Sequence, residues 1–115
     1  MTNKFDDAET YFLNFTTDLP NEAGGIPIGL YLCWAADAGL VPAELKRDID
    51  ARRARGQSSA DILFDLCDGK LTSDELNEEG AAFTDEYYGD GYLADYRRCF
   101  RLGDGGVDAL CGVPD

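Results

Sequence analysis

Eight carboxylates stand between Leu71 and Tyr96: Asp74, Glu75, Glu78, Glu79, Asp85, Glu86, Asp90 and Asp95, with no Lys or Arg among them. Carboxylates at this density can exchange protons in pairs, ligate a hard divalent cation, or form a solvated anionic face. The calcium-loop spacing D-x-[DN]-x-[DN]-G with a distal glutamate occurs in no segment. Asp7-x-Glu9 and Asp104-Gly105-Gly106-Val107-Asp108 carry too few acids to replace it. The preferred reading is therefore an anionic face, with no catalytic, metal-binding or cofactor-binding residue assigned. The chain has no histidine, so Ser-His and Cys-His nucleophile systems cannot be built within it.

Two other chemistries fail on spacing. Cys33, Cys67, Cys99 and Cys111 are separated by 34, 32 and 12 positions, whereas a four-thiolate zinc site uses close-spaced pairs. They are expected to be reduced thiols buried as small hydrophobes. Gly24-Gly25 before a helix start could offer backbone N–H groups to an anion. The stretch lacks both the P-loop lysine and the G-x-G-x-x-G spacing, and Asp18 and Glu22 would repel a phosphate. Gly24, Gly25 and Gly29 then serve close helix packing.

Helices must position these groups. Residues 1–20 predict an extended arm or short strand, because Tyr11, Leu13 and Phe15 alternate with Phe12, Asn14 and Thr16. From Asn21, a candidate cap, a nearly all-apolar helix runs through Ile26 to Ala38 and stops at Gly39; Pro27 confines its regular part to a start between Ala23 and Pro27. Apolar on every side, it must be central. Pro42–Arg55 predicts a second helix, with Leu45 and Ile49 inward and Asp48 paired to Arg52. Ser58 or Ser59 to Cys67 or Asp68 predicts a third, and Thr72 or Ser73 opens a short turn. Asn77 caps a fourth, with Gly80, Phe83 and Tyr87 on one face, until Gly89-Asp90-Gly91 breaks it. Leu93, Tyr96 and Phe100 mark a fifth, and residues 102–115 read as a loose tail. The expected fold class is all-α, a single domain of about five short helices around the apolar one.

The chain has 115 residues and a mass of 12.6 kDa, one domain able to bury about two-thirds of its unfolded surface. At 44% hydrophobic and 11% aromatic it is too apolar to stay disordered. Ten Lys and Arg against 23 Asp and Glu leave a net charge of −13. That field repels nucleic-acid backbones and anionic membranes and attracts a cationic partner. No run approaches the roughly 18 apolar residues a membrane span needs. Met1-Thr2-Asn3-Lys4-Phe5 is no secretory leader, so a cytoplasmic address is expected. Five bases, Lys46, Arg47, Arg52, Arg53 and Arg55, crowd the second helix, which makes the chain a dipole as well as an anion.

Two stretches carry a resemblance. Asp18-Leu19-Pro20-Asn21-Glu22-Ala23-Gly24, running into Ile28-Gly29-Leu30-Tyr31-Leu32-Cys33-Trp34-Ala35, is the first. The second is Leu71-Thr72-Ser73-Asp74-Glu75-Leu76-Asn77-Glu78-Glu79-Gly80, followed by Phe83, Tyr87-Tyr88 and Tyr92-Leu93-Ala94-Asp95-Tyr96. Together they resemble a family of small acidic bacterial proteins of unassigned activity, similar to immunity proteins found beside secreted toxins. Where that family often has histidine before Ile-Gly, this chain has Pro27. The resemblance brings no catalytic residue with it. It implies a non-enzymatic immunity protein that occludes a cognate toxin with a basic active-site cleft. The expected contact residues are Asp74, Glu75, Glu78, Glu79, Asp85, Glu86 and Asp90, with Tyr88 and Tyr92 as anchors. A carboxylate- or divalent-metal-dependent enzyme, and an adaptor without a toxin, are the alternatives.

Overall fold

Ile26–Asp37 is almost without polar side chains, and a helix of that composition is stable only when neighbours enclose it. In the computed structural model, which describes residues 2–115, this segment is α2. A 3-10 turn, Asn21–Gly25, leads into it, and Pro27 sits in its first turn, where its missing N–H costs nothing. Ile28, Leu32, Ala35 and Ala36 have no exposed surface. The enclosure is incomplete, however, because Trp34 keeps 46% of its surface in solvent.

The fold is all-α in class, with one two-stranded sheet. Helix α3 is Ala43–Ala54 and α4 is Ser59–Cys67. Ser58 caps α4 by accepting from Asp61 N at 3.2 Å, and Asp68 and Gly69 end it in left-handed backbone, φ 56° and 75°. Helix α4 lies against α2 at Gly29, where any Cβ would run into the Ser59 carbonyl oxygen. Gly24 likewise faces Ala8 and Phe12, and Gly25 the Phe64 ring. The Asp48–Arg52 pair does not form. Arg52 instead reaches Asp65 at 2.9 Å and Arg53 reaches Asp37 at 2.8 Å, tying α3 to α4 and α2. Long flexible guanidinium arms find carboxylates on neighbouring elements as readily as on their own helix.

Both chain ends differ from expectation. Of the supposed extended arm, Lys4–Asp7 is a strand, β1, but Ala8–Phe12 is a helix, α1, because Asp7 caps it by accepting from Glu9 N at 3.0 Å. Strand β1 pairs antiparallel with β2, Lys70–Thr72, with a bulge at Phe5. The supposed loose tail contains α7, Val107–Cys111, and buries Leu110, Cys111 and Val113. Two carboxylates pin it: Asp108 accepts from Thr16 N at 2.9 Å, and Asp115 accepts from Ser59 N and Ala60 N at the start of α4. The radius of gyration, 13.4 Å, is that of one domain of this length.

The third difference concerns Gly89-Asp90-Gly91, which does not break the helix. Helix α5, Glu78–Tyr87, passes through a π-helical turn, Tyr88–Tyr92, into α6, Leu93–Cys99. Glycines lower helix propensity, yet a π turn needs only one extra residue per turn and keeps right-handed helical backbone.

Candidate functional site

Helix α5 is placed by its first turn. Asn77 accepts from Gly80 N at 2.7 Å as its cap and donates through Nδ2 to Gly39 O at 2.9 Å. Gly80 rests on the Leu40 carbonyl, an approach that no Cβ would permit. One turn on, buried Thr84 shares a 2.8 Å hydrogen bond with the Tyr31 hydroxyl of α2. Gly80 and Thr84 thus form the inner edge of α5, and Phe83, expected inward, is 40% exposed.

The outward face carries the expected acids. Glu78, Glu79, Asp85 and Glu86 are exposed on α5, and Asp90 is exposed in the π turn. Glu78 and Glu79 lie in the first turn, where the helix dipole favours negative charge. Among the described residues, none of these five has a cationic side chain within 4 Å: the ion pairs involve Asp7, Asp37, Asp50, Asp65, Asp68 and Asp95. Asp74 is exposed and accepts from Thr2 Oγ1 at 3.0 Å. Glu75 is committed to a capping box, accepting from Thr72 N at 2.9 Å and Thr72 Oγ1 at 2.8 Å. Its carboxylate belongs to the turn more than to the surface.

The two tyrosines expected as anchors are held by their hydroxyls to groups inside the fold. Tyr88 is 5% exposed, and its hydroxyl donates to Asp6 in β1. Tyr11 donates to the same carboxylate oxygen at 2.8 Å. Burial raises the Asp6 pKa above the ordinary carboxylate value, against the two hydroxyls and the Asp7 N–H, which lower it. Tyr92 is half-buried and donates to the Pro27 carbonyl. The π turn rotates both rings inward, stacked with centroids 5.1 Å apart.

That turn also builds a feature the sequence reading missed. Along α5, the π turn and α6, the aromatics Phe83, Tyr87, Tyr92, Tyr96 and Phe100 follow one another at steps of four, five, four and four. The five-residue step is the widened turn, and it keeps one stripe facing α2. Across from it stand Leu30 and Trp34. Between the two walls lies an open groove of about 440 Å³ that reaches Tyr31, Asp95 and Cys99 as well. Tyr87 donates to Asp95, which also pairs with Arg98. The Asp95 bond, then burial, pushes the Tyr87 hydroxyl up to about 12, so it stays protonated. Cys99 at the groove is exposed, contrary to the expectation of four buried thiols. Cys33, Cys67 and Cys111 are buried, and burial lifts Cys67 and Cys111 to about 12.

The chain belongs to a family. Residues 4–105 match the domain of unknown function DUF7832, a span that runs from β1 to the threshold of α7 and includes the acidic face and the groove. No curated protein and no solved structure matches the chain. No helix among the described residues is long and apolar enough to cross a membrane.

Proposed function

We propose that this DUF7832 chain is a binding protein for a basic partner protein, an immunity protein that covers the cationic active-site cleft of a cognate toxin. One observation carries the reading: among the described residues the acids of α5 have no cationic partner, whereas Lys46, Arg52 and Arg53 of the basic helix α3 are paired within the molecule. Unpaired exposed carboxylates keep their field for an incoming protein, which raises the rate of encounter and fixes orientation. The groove beside them exposes Trp34 and Phe83, the residue types that dominate interface energetics. The partner is expected from the gene next to this one.

The test is to purify that neighbour's product and follow association by surface plasmon resonance at several salt concentrations. Reversing Glu78, Glu79 and Glu86 together to lysine is expected to slow association about tenfold or more at low salt and to flatten its salt dependence. The matching glutamine variant is expected to lie between. An unchanged on-rate in the lysine variant, with its helical circular dichroism intact, removes this face from the interface. Failure of the neighbouring product to bind the native chain rejects the immunity reading.

A further inference from the structure

The groove has a chemistry of its own that does not rest on the acidic face of α5. Five of its aromatic rings close a cycle. Centroid separations run Tyr31–Trp34 5.5 Å, Trp34–Phe83 5.7 Å, Phe83–Tyr87 5.2 Å, Tyr87–Tyr92 6.4 Å and Tyr92–Tyr31 4.8 Å. All five residues line the groove. A flat pentagon with such sides has its centre about 5 Å from each centroid, within the ~6 Å over which an aromatic face attracts a cation; Trp34 and Phe83 are exposed and Tyr87 and Tyr92 half-buried, while Tyr31, 1% exposed, backs them from the core. Seven of the ten lining residues are aromatic, and Leu30 is the one branched aliphatic residue among them.

Three features favour positive charge over a neutral apolar group. The hydroxyls of Tyr87, Tyr92 and Tyr96 all donate, to Asp95, the Pro27 carbonyl and the Leu110 carbonyl. A phenol that donates pushes electron density into its ring and strengthens the negative face. The carboxylate of Asp95 stands in the lining, half-exposed; its partner Arg98 is 76% exposed on the side chain, and such a solvated pair yields readily. A net charge of −13 raises the concentration of cations around the whole chain.

We infer that the groove between α2 and α5–α6 binds a small organic ammonium cation, of the methylated type whose diffuse charge and apolar shell suit an aromatic cage. Its volume falls within the ordinary range for small-ligand sites, about 300–1,000 Å³. The ammonium sits against Trp34, Phe83 and Tyr87, on the side of the groove that Asp95 lines.

Trp34 is the sole tryptophan and reports occupancy directly. Choline and its uncharged carbon isostere, dimethylbutanol, are titrated separately into the full chain at fixed ionic strength while Trp34 emission is followed. Saturable binding of choline with a Kd of about 1 mM or below is expected, at least about tenfold tighter than the isostere. In Phe83→Leu, which keeps the apolar bulk at an exposed position, choline is expected to bind about fivefold more weakly, with the isostere unchanged. Choline is also expected to slow maleimide labelling of Cys99, the exposed thiol of the groove, in a reading that does not depend on fluorescence. Equal affinity for the two ligands, equal weakening of both by Phe83→Leu, or no saturation by about 50 mM overturns the assignment. The partner-binding variants at Glu78, Glu79 and Glu86 lie outside the groove, so failure of either proposal leaves the other standing.

Discussion

Asp6 shows how a half-buried carboxylate can be held without a cation. It accepts from the Tyr11 and Tyr88 hydroxyls and so joins β1 to the π turn some eighty residues away. Because burial outweighs those donors and raises its pKa, the fold prefers the neutral form. What Asp6 contributes is fully present below its unfolded pKa and is lost as pH rises through the higher folded value. Asp6→Asn keeps an acceptor for a tyrosine and removes the buried charge. The variant is expected to match or exceed the native chain at pH 8 and to lose that margin at pH 4. Urea unfolding at the two pH values measures it, and a variant much less stable at pH 8 would show that the ionised form is what the fold needs. Asp108 works in the opposite sense: the Thr17 and Thr16 hydrogen bonds lower its pKa, so its support is lost as pH falls through the acid range. Gly80 offers a second residue-level test. Alanine favours helix by about 1 kcal/mol, but here its methyl would meet the Leu40 carbonyl, which cannot rotate away. Gly80→Ala is therefore expected to destabilise by about 1–3 kcal/mol, read as a fall in melting temperature.

Elements were legible in the sequence wherever a local signal decided them. Ser58 and Asn77 cap the helices that their side chains predict, and Gly69 stops α4. The apolar run of α2 places itself at the centre. Where the deciding contact was distant, the signal failed. Tyr11 to Thr16 alternates like a strand, but Asp7 caps Ala8–Phe12 into a helix that packs on Gly24. Lys70–Thr72 is too short to announce itself and is a strand because β1 lies beside it. The glycines around Asp90 signal a stop by propensity, yet the aromatic stripe continues across them with one five-residue step. That step was the available sign of both the π turn and the groove. Gly91 completes the turn because a Cβ there would strike the Tyr87 ring. Gly91→Ala is expected to move Tyr87, weaken its bond to Asp95, and bring its hydroxyl down from about 12 toward the ordinary value of about 10. Ultraviolet titration of the tyrosines follows that change, and an unaltered profile would mean that the turn absorbs the methyl without moving the ring.

At the scale of the whole molecule, charge is distributed to be available and not to stabilise. The described ion pairs join exposed or partly exposed side chains across short spans, and pairs of that kind contribute at most about 1 kcal/mol each. Against them stands the mutual repulsion of 23 acids with 10 bases, which acts through solvent over about 10 Å at 0.1 M salt. Repulsion should win. Raising sodium chloride from about 10 mM to 0.5 M screens both effects, and the balance predicts a rise in melting temperature. Converting Glu78, Glu79 and Glu86 to lysine changes each position by two charges and takes the net charge from −13 to −7. Part of the salt effect should disappear, although Glu78 and Glu79 also forfeit a favourable place at the α5 dipole, about 0.3–1 kcal/mol each. Salt screens both the repulsion and the dipole term, so the melting temperature of the lysine variant is expected to rise less with salt than that of the native chain. If salt instead lowers the melting temperature of the native chain, the ion pairs of α3 outweigh the acidic face. The view that α5 holds its charge at a cost in stability, in readiness for a partner, would then be wrong.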